Sequence, residues 1–267
     1  MKTAAGVHHS SRTETYMPKR GRTFIALVVL TGFSILLLGL FHWQSPDLIR
    51  YGCFFLLAVL TSGLNLTLPG VTGTLSLSFL FILFGVVEMN FQETLLLGAI
   101  LTLVQCLWNK PRKPRVIQIL FNVASISIAI ALTEAACNAA RLGAKPQDAA
   151  PLLLVAGGTF FFANSIPVAL VISLTEAKPW RQVWRECYFW SFPYYLAGAG
   201  IAGLASVVSR YAGWQTSLLV IPLVYLVYRS YRLYLGRLEA EKRHAEEMAS
   251  LHLRTIEALA LAIEAKD

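Results

Sequence analysis

Between Thr23 and Ser230 the chain places 19 charged side chains in 208 residues, whereas the 37 residues from Tyr231 to Asp267 carry 13. A globular domain is normally about one quarter charged. The long stretch therefore has too few charges to keep a surface in water, and with hydrophobic residues at 56% of the whole chain it has enough apolar side chains to face lipid. Two regimes share one sequence: a multispan membrane region over 23–230 and a charged connecting segment over 231–267. The first 22 residues are polar and without periodicity, and are expected to be a disordered cytoplasmic N-terminus.

Spans need roughly 17–25 mostly apolar residues. The pattern predicts an all-α polytopic helix bundle of about eight spans, near 23–43, 48–68, 73–90, 92–109, 115–140, 150–175, 187–209 and 214–230, followed by a cytoplasmic signalling helix. The third and fourth are separated only by the polar marks Glu88, Asn90, Gln92 and Glu93. Basic residues test the count, because they accumulate on cytoplasmic loops. With eight spans, only Arg50, Arg141, Lys145 and Arg210 of the 23 lysines and arginines fall outside. Both termini are then cytoplasmic, in a multi-pass membrane protein. The run from Phe24 is too long for a cleaved signal peptide and has no small-residue cleavage site after it, so it reads as a retained first span.

The same arithmetic sets aside other classes. Cys53, Cys106, Cys137 and Cys187 are isolated in or beside apolar runs, unlike a secreted disulfide scaffold. The net charge of +8 divides into +4 over residues 1–22, +5 over 23–230 and −1 over the tail. It is a topology signal rather than a nucleic-acid surface, and no nucleic-acid partner is expected. No GxSxG, HExxH, P-loop or GxGxxG segment occurs. His8-His9 belongs to the polar N-terminus, and His42, His244 and His252 are scattered, so no catalytic residue, metal site or cofactor is assigned to this chain.

Polar side chains inside spans are expensive, and each is a functional candidate unless it serves only to join helices. Glu134, in the small-residue stretch Thr133-Glu134-Ala135-Ala136-Cys137, reads either as a ligand or proton site or as an acid near the interface satisfied by water. Asn122 and Ser125 lie one turn apart, and Asn164 precedes Pro167 in the sixth span; these two places can line one cavity for an unknown small ligand. Pro167, Pro193 and Pro222 are expected to interrupt three successive spans. The segment from Asn65 to Thr74, with Pro69, Gly70 and Gly73, reads as a re-entrant stretch or a tight turn. Trp180, Trp184, Tyr188 and Trp190, interleaved with Arg181 and Arg185, read as an amphipathic approach to the seventh span at the membrane interface.

From Tyr225 onward the sequence has no proline and only Gly236 as a breaker, so one helix is expected to leave the membrane and run to Asp267. Leu238, Ala245, His252 and Leu259 are spaced by seven and form an imperfect seam suited to a parallel homodimer.

The end of that helix, Ala258-Leu-Ala-Leu-Ala-Ile263-Glu264-Ala265-Lys266-Asp267, resembles the entry helix of bacterial HD-GYP phosphohydrolases. The resemblance covers about 17 residues from Leu251. It implies that the chain is a piece of a longer protein, whose histidine-rich output domain would bind divalent metals and hydrolyse cyclic di-GMP. The multispan region ahead of it is similar in span number and position to membrane-associated sensor (MASE-type) domains. The expected function is a sensory or regulatory membrane module that signals through its C-terminal helix; the alternative is a small transporter or substrate-binding membrane subunit, with Glu134 and Asn122 along its path.

Overall fold

The computed structural model describes residues 18–62, 65–67, 74–76, 78–108, 114–143, 149–176, 178–217 and 220–264. The first 17 residues, expected to be disordered, lie outside these, as do residues 265–267 of the HD-GYP-like segment. Ten helices occur among the described residues: α1 (Lys19–Phe41), α2 (Leu48–Ser62), α3 (Ser78–Glu88), α4 (Phe91–Leu107), α5 (Val116–Gly143), α6 (Ala149–Glu176), α7 (Trp180–Cys187), α8 (Phe192–Ala212), α9 (Trp214–Ser217) and α10 (Val220–Glu264). A 3-10 turn at Phe189–Ser191 precedes α8. Two three-residue strands, β1 (Asn65–Thr67) and β2 (Thr74–Ser76), pair antiparallel between α2 and α3, with Leu66 opposite Leu75.

Among the described residues four helices are long and apolar enough to cross a membrane: α1, α5 from Val116 to Arg141, α6 from Leu152 to Glu176, and α8. Such a set belongs to a membrane protein. The expectation of eight spans meets three shorter apolar helices, because α2, α3 and α4 have 15, 11 and 17 residues. At ~1.5 Å per residue α3 is about 16 Å long, half of a ~30 Å hydrocarbon core. The difference has a local cause. In the span read over 48–68, α2 ends at Ser62 and Asn65–Thr67 pairs as β1 with β2, a pairing that the β-branched Thr67 and Thr74 favour over helix; Pro69, Gly70 and Gly73 lie outside the described residues.

Other boundaries also move. Residues 19–22, assigned to the disordered N-terminus, form the first turn of α1. Pro193 does not interrupt a helix: it sits in the first turn of α8, where the missing N–H has no intrahelical partner to lose. Pro222 likewise falls in the first turn of α10, while Pro167 alone of the three lies inside a helix, α6. The aromatic stretch ahead of the seventh span forms the separate short helix α7, whose Trp184 Nε1 donates to Ser165 Oγ on α6 at 3.1 Å.

The core lies where α3, α4, α5, α6 and α8 meet. Ile82, Leu83, Leu97, Leu101, Ile130 and Phe160 are buried in one cluster there. α1 packs along α5 through Ile25, Val28, Phe121 and Ala124. This approach is close enough to require glycine, since a Cβ at Gly32 would overlap the Ala124 backbone. On the outside, Leu27, Leu30, Leu56, Leu60, Leu154 and Leu204 are exposed, the surface that lipid covers in a membrane protein.

Candidate functional site

Two polar clusters interrupt this apolar bundle, and α3 joins them. Its first residue, Ser78, belongs to one cluster and its last, Glu88, to the other. Helix α8 runs in the same sense, from Tyr194 and Tyr195 at the first to Ser206 and Arg210 at the second. Helix α4 runs oppositely, from Glu93 to Gln105.

The first cluster is a cavity of about 230 Å³ between α3, α4, α5, α6 and α8. Three of the four residues read from sequence as ligand candidates meet here: Asn122 and Ser125 from α5 and Asn164 from α6 all line it. Around them stand Ser78, Thr102, Gln105 and Cys106, with Phe79, Phe160, Tyr194 and Tyr195 as an aromatic wall. None of the described residues that line it is acidic or basic. The wall is close-packed, with the Phe79 ring 4.7 Å from that of Tyr194 and 5.0 Å from that of Tyr195. Gly198, one turn beyond Tyr194, makes this possible, because a Cβ there would overlap the Phe79 ring.

Hydrogen bonding in the cavity is incomplete. Gln105 Nε2 donates to Ser78 Oγ, and Asn164 Nδ2 donates to the Tyr195 hydroxyl at 3.2 Å. Asn122 Nδ2 reaches only the weak acceptor Cys106 Sγ, at 3.5 Å. Ser125 Oγ and the Tyr194 hydroxyl, both buried, have no protein partner. A buried polar atom left without a partner costs about 1–3 kcal/mol, so the cavity retains capacity for hydrogen bonds that the chain itself does not use.

Glu134 sits apart. It is half-buried on α5, near Asn138 and Arg141, where Arg141 Nη1 donates to Asn138 Oδ1 at 3.2 Å, and it is not among the residues lining the cavity. Of the seam residues, Leu238, Ala245 and His252 are exposed along α10, while the side chain of Leu259 lies outside the described residues.

The second cluster was not singled out from the sequence as a site. Glu88 Oε2 accepts from Arg50 Nη2 at 2.9 Å, and Glu88 Oε1 accepts from Ser206 Oγ and, at 3.4 Å, from Arg210 Nε. Beside it, Glu93 accepts from Ser45 Oγ at 2.6 Å and from the Asn90 backbone N–H at 3.1 Å, closing the first turn of α4. Asp47 Oδ1 accepts from the Arg50 backbone N–H at 2.9 Å and caps α2. The available signal was charge: Arg50 and Arg210 are two of the four basic residues that the positive-inside count left outside, and both find the same carboxylate. Among the described residues no three His, Cys, Asp or Glu side chains gather as a metal site.

No protein-family model, curated protein or solved structure matches the chain.

Proposed function

We propose that this chain is a membrane sensory module that passes a signal along α10 to a cytoplasmic HD-GYP-type phosphodiesterase domain acting on cyclic di-GMP. The observation that supports this most directly is the continuity of α10, 45 residues from Val220 to Glu264 without a break. At ~1.5 Å per residue it reaches about 67 Å, further than a membrane span needs. Residues 240–256 of it are charged and exposed, and it ends in the segment that resembles an HD-GYP entry helix. In this reading eight membrane segments place both termini on the cytoplasmic side of a bacterial inner membrane, with α2 and α3 as shortened segments about the strand pair. Two copies pair in parallel through Leu238, Ala245, His252 and Leu259, and the polar His252 weakens the seam enough to leave two arrangements close in energy.

The reading has two tests. Translation of the source gene beyond Asp267 should show a His-Asp pair followed by Gly-Tyr-Pro, and an unrelated continuation removes the assignment. In the protein that carries this chain, one residue inserted after Glu247 turns everything beyond it by ~100° and should change cyclic di-GMP turnover, whereas seven inserted residues nearly restore the face and should largely preserve it. Equal tolerance of both insertions reduces α10 to a tether.

A transporter is the second reading, favoured by one feature: half-length α3 begins at a polar cavity inside the bundle, as broken helices do at transport sites. Uptake of a solute by vesicles carrying this chain alone would replace the sensory reading.

A further inference from the structure

We propose that the cavity between α3, α4, α5, α6 and α8 binds an uncharged planar ring bearing carbonyl oxygen, the chemistry of a quinone or a neutral aromatic ketone. The proposal rests on the sensory reading for its biological meaning and names the stimulus class; its chemistry is read from the cavity alone.

Four observations converge on it. Among the described residues no acidic or basic side chain lines the cavity, so these residues offer a charged occupant no counter-charge, and burying a bare charge is costly. Ser125, 2% exposed, keeps its hydroxyl without a protein partner in the cavity lining, and so does Tyr194. Both can donate to a carbonyl oxygen. The N-terminal turns of α3 and α8 meet at the same place through Ser78 and Tyr194, and the partial positive charge of two helix starts favours an oxygen with negative partial charge. Beside these donors, Phe79, Phe160 and Tyr195 line the same cavity with aromatic rings, against which a planar conjugated ring packs.

Size points the same way. A volume of about 230 Å³ is below the usual range of drug-sized pockets, roughly 300–1,000 Å³, and suits a single substituted ring. Water alone would also fill polar space, but it would not require an aromatic wall.

The ligand can arrive from the membrane as a tailed quinone or from water as a small ketone. The full chain in lipid nanodiscs is titrated calorimetrically with duroquinone, whose four methyl groups leave no ring position open to a thiol. Durene, the same ring and methyls without the carbonyls, is the control. Duroquinone should bind saturably and at least about tenfold tighter than durene, since only it can use the donors. Ser125→Ala removes an unpaired buried hydroxyl, so it should raise the melting temperature of the empty protein while weakening duroquinone by about fivefold or more. A serine kept only for packing would not move the two readouts in opposite directions. Tyr194→Phe gives the same pair of measurements at the second hydroxyl. A decyl-tailed benzoquinone that binds tighter than its added lipid partition explains identifies the membrane as the source, and equal affinity after that correction identifies a water-borne ketone. Equal binding of durene and duroquinone, or unchanged duroquinone affinity in both variants, overturns the proposal. Binding is measured without any output domain, so its failure leaves the relay through α10 standing, and failure of the insertion test leaves the binding result standing.

Discussion

The two ends of α3 solve the problem of polar groups in an apolar bundle in opposite ways. At Glu88 the groups are charged and paired by opposite charge: one carboxylate takes two arginines and a serine from α2 and α8, and Glu93 and Asp47 close the neighbouring helix starts, although Arg50 Nε and the Tyr51 hydroxyl stay without a partner. At Ser78 the groups are neutral and under-matched, with two buried hydroxyls left without protein partners and an asparagine amide donating to sulfur. A network whose charges are paired fixes how helices meet, even with an atom or two left over. An unsatisfied neutral one gives up stability in the empty protein, which is the usual mark of a site arranged for something other than the fold.

That contrast can be broken at its charged end first. Glu88 is 10% exposed at its side chain, and Glu88→Ala leaves Arg50 and Ser206 without their acceptor. The expected loss is about 3 kcal/mol, seen as a lower melting temperature in detergent. A loss under about 0.5 kcal/mol would mean that the network does not hold the bundle. The arginines should then rank by burial. Arg50, 25% exposed and bonded at 2.9 Å, should cost about 1–2 kcal/mol as Arg50→Met. Arg210, 62% exposed at 3.4 Å, should cost under about 0.5 kcal/mol as Arg210→Met. Reversal of that order would place the anchoring contact on α8 rather than α2.

How far the sequence disclosed these two clusters depended on the kind of signal each left. Asn122, Ser125 and Asn164 were visible because amides and hydroxyls stand out within apolar spans, and helical spacing alone puts Asn122 and Ser125 on one face. Ser78, Gln105 and the aromatic wall were not visible as parts of the same cavity. Their meeting depends on α3 beginning at Ser78, after a strand pair that composition left open as a turn or a re-entrant stretch. Glu134 carried the strongest single-residue signal, a lone acid in a span, yet its polar neighbours Asn138 and Arg141 are on its own helix and it lies outside the cavity. A periodicity argument says which face a residue occupies but not which helix packs there. The Glu88 network shows the same limit: its residues come from positions 50, 88, 206 and 210, and nothing local links them.

The smallest effect tests the contrast most narrowly, because it compares two adjacent residues of one kind. Tyr194 and Tyr195 both line the cavity and both stack on Phe79. They differ in one bond, since the Tyr195 hydroxyl accepts from Asn164 while the Tyr194 hydroxyl has no partner. Tyr195→Phe removes that acceptor and leaves the Asn164 amide short of a partner, so it should lower stability by roughly 0.6 kcal/mol, the average for a hydrogen bond between membrane helices. Tyr194→Phe removes a hydroxyl that the folded chain does not use and keeps the ring, so the empty protein should be unchanged or slightly more stable. The measurement is a pair of melting curves under identical detergent conditions without ligand. If Tyr194→Phe proved as destabilising as Tyr195→Phe, the Tyr194 hydroxyl would be satisfied in the empty protein by bound water, and the cavity would belong with the Glu88 cluster as part of the framework.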